Sequence, residues 1–469
     1  MKVVHREWIA GGLLLLSFCA IGRTPVWPAA WSATQTAWCA ETGSWEVHNL
    51  RLPHALLPDL SMTLVATTAT LTPGAEGQWQ HVVLNDATYE IADAAAPAGS
   101  LLVDRLDIHH ADFDLTVHGY LRTAAETGFD SLFLVPSGAE DRYAFSTDRL
   151  RIRSKEELIL LSGFSMTPRQ SVRRFARDLT ERSTRMVLNV GKLEINGADV
   201  SDMLRRKSFV ADSTVFEQVY FSVDTYMDLP KRPGTRMLPH QLLASWAPNL
   251  ELGVVDIRDS RIEVQFNHQR RRPGFLSFGD LHATVRNLRN SPFPGPLDIV
   301  VDTRFLLYDQ GLTRIRFRMP CGTPDGRFWV DGYVGPMDFR AVNEVLVTEG
   351  NFRVRRGAVD SLLFRIEAND TLATGVAYPY YHNLKVRKLR GFKSDQPRRF
   401  FSSIMDLLGV PNHNPEGGKL TIGHIQYPRD PEQSFFAYCW NALRTGVLSV
   451  LTPNYLLPDM QESEKIKNY

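Results

Sequence analysis

The sequence predicts a mainly β protein: an elongated, curved antiparallel sheet forming a β-groove, with a few peripheral helices and an N-terminal hydrophobic helix. Three observations carry this. From Leu252 to Gly391 apolar residues recur at every second position in a series of short runs, the pattern of half-buried antiparallel strands. Helical periodicity is confined to a few short stretches, too little to roof such a sheet. A short strand pattern also returns along the chain, with apolar residues at offsets zero, two and seven and a small residue at five.

The runs cover 254–266, 278–288, 297–307, 313–319, 328–334, 352–354 and 362–367, preceded by others at 45–52 and 61–72. Gly74, Gly77, Pro97 and Gly99 mark turns around further strands. The returning pattern reads Leu106, Ile108, Ala111, Phe113, then Leu193, Ile195, Ala198, Val200. It comes again as Val255, Ile257, Ser260, Ile262 and as Phe352, Val354, Gly357, Val359. Its two-residue step suits a bulge or tight bend, and its small residue permits close backbone approach. Helices are expected from Thr167–Pro168 through Arg182, with Thr167 as cap and Pro168 at the first position, and over 238–246, 399–408 and 432–451. The last places Phe435, Phe436, Trp440, Leu443, Val447 and Leu451 on one side. It either lies in a bilayer interface or caps the exposed end of the sheet.

The 469 residues, 43% hydrophobic, are enough for a substantial core. With 53 basic and 52 acidic side chains the net charge is +1, which argues against a dedicated nucleic-acid binder, since phosphate neutralisation needs a basic excess. Lys2 and Arg6 precede an uncharged run from Trp8 to Gly22 that Arg23 closes. This is a signal peptide or a retained inner-membrane anchor, and either puts the body of the protein in the periplasm. Five segments follow: leader or anchor with its flank (1–40), N-terminal β segment (41–165), mixed segment with helices (166–250), β-groove with terminal amphipathic helix (251–451) and tail (452–469).

The four cysteines, Cys19, Cys39, Cys321 and Cys439, show no zinc spacing. Cys39 and Cys439 are candidates for a disulfide in an oxidising compartment. His110, Asp112 and Asp114 share a strand face, which reads as a solvated polar face rather than a metal site. G-x-S-x-G, P-loop and dinucleotide fingerprints are absent, so the chain reads as non-enzymatic, without metal or cofactor. Arg270-Arg271-Arg272 reads as an exposed hairpin tip. Arg387, Lys388, Arg390, Lys393, Arg398 and Arg399 form a basic cluster, read either as a loop pairing with nearby acids or as a membrane-surface contact.

Several stretches, in order, resemble the AsmA-like superfamily of envelope proteins of diderm bacteria, which includes the TamB-type proteins. They include Arg185–Gly197, Phe275–Ala283 with Val285–Leu288, Asp331-Gly332-Tyr333-Val334-Gly335-Pro336-Met337-Asp338-Phe339 with Asn343, Asn369–Thr371, Tyr380–Val386, and Arg429-Asp430 before Ser434–Trp440. The resemblance spans roughly 158–451. It implies a membrane tether, a periplasmic β-groove and a role in moving or organising phospholipids, though this chain is short beside the members of that family.

Alternating strands without a roof of helices leave an apolar trough, and an acyl chain laid in it gains roughly 0.8 kcal/mol per buried methylene. The expected groove residues are Val255, Ile257, Ile262, Val264, Phe266, Phe305, Phe317 and Val330; Phe435, Phe436 and Trp440 are expected at a membrane. The expected partners are phospholipid or another acyl lipid, the inner membrane, and outer-membrane or other envelope proteins. The rival expectation is a scaffold or assembly factor for outer-membrane proteins, holding client strands at exposed sheet edges.

Overall fold

A computed structural model describes residues 32–53, 62–73, 79–91, 103–114, 126–136, 142–153, 155–177, 179–199, 208–231, 233–246, 249–268, 272–290, 298–320, 323, 325–350, 352–389 and 411–451. The expected leader, the helix at 399–408, the tail and most of the basic cluster lie outside them. The chain is mainly β, 63% strand against 13% helix, and its described strand registers are antiparallel. It divides into two compact units: residues 1–178, 185–221 and 247–258 form the first, and 179–184, 222–246 and 259–469 the second.

In the first unit, β1 (Gln35–Cys39), β2 (Ser44–Pro53), β3 (Met62–Pro73), β4 (Trp79–Ile91), β5 (Val103–Asp114), β6 (Glu126–Pro136), β7 (Tyr143–Arg153), β8 (Leu158–Pro168) and β9 (Thr184–Asn196) pair in sequence order. β10 (Ser208–Tyr226) pairs with β9. Each ladder from β2 to β9 skips one pair, or two between β7 and β8, and the skipped residues join into one transverse line. It runs through Asn49, Thr67, Asp86, His109, Ser131, Asp148, Gly163 and Gly191. Asn49, Asp86 and Gly163 on this line have left-handed backbone, at φ 49°, 47° and 66°.

Burial explains the line. Val47 and Leu50 are both buried, as are Ala66 and Ala69, Leu84 and Ala87, and Thr147 and Leu150. The inward positions therefore slip from a spacing of two to three, with two consecutive outward residues between them. A left-handed residue lets the strand turn there and keep its apolar side inward on both arms. Thr hydroxyls accompany the step: Thr67 Oγ1 donates to the Asp86 carbonyl (3.1 Å) and Thr147 Oγ1 to the Ser162 carbonyl (2.7 Å). One copy of the offset pattern read from the sequence, Leu106 to Phe113, crosses this line at His109. Gly197 after β9 (φ 72°) and Asp259 in β11 (φ 49°), both at offset four, occupy the same place in two of the copies, and Gly357 in β17 (φ 139°) is the small residue of a third. Asp86→Val is expected to cost about 1–2 kcal/mol, because a β-branched side chain resists the left-handed region. Asp86→Gly should cost nothing or gain slightly; urea unfolding of both variants measures the difference.

The second unit is built on the latter part of β11 (Asn249–Asn267), β12 (Gly274–Arg289), β13 (Ile299–Leu307), β14 (Gly311–Met319), β15 (Phe328–Val334), β16 (Met337–Asp338), β17 (Phe352–Ala368), β18 (Leu372–Lys388) and β19 (Gly423–Pro428). Sequence reading divides β17 into two short strands because the step at Arg355–Gly357 breaks its alternation. The outer face of this sheet carries a charge row: Asp302, Arg316, Asp331 and Arg365 stand opposite one another in successive strands. Arg316 reaches Asp302 at 2.5 Å and Arg365 reaches Asp331 at 2.7 Å. Arg316 holds the Asp302 carboxyl below its usual range.

The helices depart from expectation in instructive ways. Thr167 and Pro168 continue β8, paired with Ala144 and Tyr143. Helix α1 is therefore only Val172–Arg177, entered from Ser171, whose hydroxyl accepts from the Arg174 amide at 3.4 Å. Helix α2, Pro239–Ala244, has Gln241 reaching back to the Leu238 amide (3.0 Å). Helix α3, Asn343–Gly350, escapes sequence reading because Val345, Leu346, Val347 and Thr348 look like a strand. Contacts decide otherwise: the Asp338 carboxylate caps the preceding 3-10 turn at the Arg340 amide (2.8 Å). The Asn343 amide group then bonds Val354 twice, at 2.9 and 2.8 Å. Helix α4, Phe435–Leu451, starts after Ser434, which accepts from the amides of Ala437 and Tyr438.

Asn414 pins the 411–422 segment to β18. Its amide group donates to the carbonyls of Pro379 (2.6 Å) and Thr421 (2.9 Å) and accepts from the Thr421 amide (2.8 Å), at 2% exposure. Asn414→Ala is expected to cost about 2–3 kcal/mol, since it strands buried polar groups; thermal unfolding tests it.

Candidate functional site

The inner face of the second unit is a set of apolar rows running across its strands. One reads Val285, Val301, Phe317, Val330, Ile366, Gly375, Ile425, and the next Ala283, Thr303, Ile315, Gly332, Phe364, Ala377, Gly423. At the β15, β17, β18 and β19 end these rows are closed: Val330, Phe364, Ile366, Ala377 and Ile425 are buried. Helix α4 covers them with Tyr438, Ala442, Thr445, Gly446 and Val450. The fit is close enough to exclude side chains, since a Cβ on Gly423 would lie 2.1 Å from the Gly446 carbonyl oxygen. Helix α4 also satisfies the outer edge of β19, where the amides of His424 and Gln426 donate to Ser449 Oγ (2.9 Å) and Thr445 Oγ1 (3.3 Å). An edge treated this way is not open to a further strand.

Along the same rows towards β11 the cover thins. Ile262, Val264 and Phe266 of β11, Phe278 of β12, Val301 of β13, and Ile315 and Phe317 of β14 are all half-exposed. Arg261 and Glu263, the alternate residues of β11, form an ion pair on the opposite face, so the apolar set faces one way. The aromatic rings cluster: Phe278 meets Phe305 edge-on at 5.1 Å, and Phe317 meets Phe435 at 5.7 Å.

Of the residues expected to line a groove, Phe305 and Val330 are buried at 7% and 2% exposure. Ile262, Val264, Phe266 and Phe317 are half-exposed. Val255, buried at 6%, and Ile257, half-buried, belong to the first unit. There the inward residues of β2, β3 and β4 are packed shut, with Leu50, Ala66, Leu71 and Leu84 at 0–1% exposure. Phe435 packs between Phe317 and Phe328 (5.7 and 5.1 Å), whereas Phe436 and Trp440 stand exposed at 76% and 44%. Phe278 and Ile315 were within reach of sequence reading, since they alternate in runs it identifies.

A polar cluster lies under the start of α4. The Arg429 guanidinium bonds Asp370 at 2.5 Å and sits over the Tyr438 ring at 5.8 Å; Gln241 donates to the same carboxylate at 2.6 Å. His240 is buried at 2% beside Phe328, near the Gly326 backbone. Desolvation, partly offset by Asp370, lowers its pKa below the ordinary 6.5. The folded state therefore binds fewer protons than the unfolded chain, so this contribution to stability is complete above pH 6.5 and declines as the pH falls below it. Replacing His240 by leucine should flatten the melting temperature across that window.

Cys39 and Cys439 are free thiols, and burial pushes the Cys439 thiol up to about 12. Asp259, Asp280 and His282 gather their donor atoms within 4.8 Å on an exposed surface, with His282 Nε2 3.1 Å from Asp280 and 3.7 Å from Asp259. That is the geometry of a surface histidine paired with carboxylates. The side chains of His110, Asp112 and Asp114, and residues Arg270 and Arg271, lie outside the described set. Among the described residues no helix is long and apolar enough to cross a membrane. No protein-family model and no curated protein matches the chain.

Proposed function

We propose that this is a non-enzymatic envelope protein that holds acyl chains against an apolar β-groove and assists phospholipid transport or outer-membrane homeostasis, in the manner of the AsmA-like proteins it resembles. The observation that carries the reading is the half-exposed stretch of the inner face, from Ile262, Val264 and Phe266 through Phe278 to Ile315 and Phe317. Apolar residues on one face of consecutive strands offer a hydrocarbon chain continuous contact, and each methylene covered contributes roughly 0.8 kcal/mol. Because apolar burial is non-directional, selectivity among acyl chains should be low.

In this reading the body stands in the periplasm, with residues 1–40 as signal peptide or inner-membrane anchor. The exposed Phe436 and Trp440 suit a bilayer interface, where aromatic rings gather, while Phe435 holds α4 to the sheet. The rival reading, a scaffold that captures client strands, is less favoured because α4 occupies the β19 edge. The test is extraction: protein purified from its native membrane and analysed by mass spectrometry should carry phospholipid or fatty acid in near-stoichiometric amount. Protein that carries no lipid would count against the reading.

A further inference from the structure

The start of β17 and the end of β18 gather five basic side chains on one exposed surface. Arg353 stands directly opposite Arg387, and Arg356 opposite Lys385, with Arg355 between. All five are exposed. Like charges facing each other across a ladder repel, and among the described residues none of the five is ion-paired. The nearby carboxylate of Asp360 is already engaged by His382 Nδ1 at 2.9 Å.

The step in β17 makes the density possible. Val354 is buried, Gly357 is left-handed, and the slip between them turns Arg355 and Arg356 both outward. The contrast is internal to the molecule. Arginines 316 and 365 are neutralised by Asp302 and Asp331. The like-charge pair Arg304–Arg314 is flanked in its row by His282 and Tyr333, and the next row along holds the paired Asp302 and Arg316.

Beneath the basic surface, Val354 and Leu384 pack with Val450, and Val386 and Leu451 pack against that cluster. The last turn of α4 thus brings apolar side chains to the same end of the sheet. Five cations on one exposed surface, held rigidly by this core, match the anionic phosphates of a bilayer surface. A chain with net charge +1 that gathers here five cations unpaired among the described residues directs positive charge at one surface instead of spreading it.

We propose that Arg353, Arg355, Arg356, Lys385 and Arg387 form a docking surface for the anionic headgroups of a membrane leaflet, separate from the acyl-binding face. Sequence reading reaches only Arg387 of the five. Its other cations were grouped by chain order, whereas these are grouped by strand register.

The test is flotation of the full chain with phosphatidylcholine vesicles made with and without phosphatidylglycerol, at low and high salt. The wild type should prefer anionic vesicles, and salt should abolish that preference. Each neutralised charge should weaken the preference about fivefold. The combined Arg353→Gln, Arg355→Gln, Arg356→Gln variant should therefore lose roughly a hundredfold, while its binding of a fluorescent acyl probe is unchanged. Lys385→Gln with Arg387→Gln reports on the same surface from the other strand, and Arg→Lys exchanges at Arg353 and Arg355 should retain binding. A wild type indifferent to phosphatidylglycerol, or well-folded glutamine variants from either strand that keep its preference, would overturn the proposal. Either result leaves the acyl-binding reading standing, since the probe reports on that face alone.

Discussion

Replacing Gly423 by valine is expected to lower the melting temperature of the second unit more than any other single substitution considered. The Cβ position at Gly423 lies 2.1 Å from the Gly446 carbonyl oxygen and 3.1 Å from Val450. The obstacle is helix backbone, which cannot rotate aside as a side chain can. To admit the larger residue, α4 must lift from β19. That movement strips the two edge amides of their partners in Thr445 and Ser449 and uncovers Ile425 and Ala377. A loss of about 3 kcal/mol or more is expected, a shift of roughly 6–12 °C for a unit of this size. Gly446→Ala, facing Ile425 at 2.5 Å and Ala377 at 3.2 Å, should cost less, because side chains can give way. Equal effects from the two would mean that the helix and strand are not in the contact described.

The second large effect concerns binding. Ile315→Asp places a carboxylate in the middle of the half-exposed row, between Thr303 and Gly332, at a position open enough for the fold to accept it. An acyl chain lying there loses its contact with isoleucine and has to desolvate a charge. Losing cover for two methylenes alone costs about 1.6 kcal/mol, about fifteenfold in affinity, and the carboxylate adds to this. At least a tenfold rise in the dissociation constant of a fluorescent fatty-acyl probe is therefore expected. Arg314→Asp, one residue earlier on the exposed outer face, should leave it unchanged. Equal losses from the two variants would indicate a general electrostatic effect and not a lined groove.

How much of this was legible depended on whether burial follows a simple period. β13, β14 and β15 were readable because strict alternation marks one apolar face, and β2, β3, β11 and β12 because alternation holds on either side of a single step. The step line of β2 to β9 was legible at one place only, the Leu106–Phe113 copy, although every one of those ladders passes through it. Its residues differ from strand to strand, Asn49 in β2, Asp86 in β4 and Gly163 in β8, because what they share is a backbone conformation and not a side chain. α1 was overextended since Thr167–Pro168 has the composition of a helix start, while its neighbours in β7 hold it in the sheet. α3 was hidden by β-branched residues that Asn343 and Asp338 override through long-range contacts. The apolar rows were legible one strand at a time, but which end lies open depends on where α4 docks. That docking turns on Gly423 and Gly446, two glycines whose importance is visible only when they face each other.

The most direct test of the acyl-binding account is photo-crosslinking in cells from a benzophenone side chain placed at Ile315, with Arg314 as the outward control. The account predicts adducts of lipid mass from Ile315 and none from Arg314. Protein-sized adducts from Ile315, without lipid, would contradict it and favour a scaffold that holds other chains.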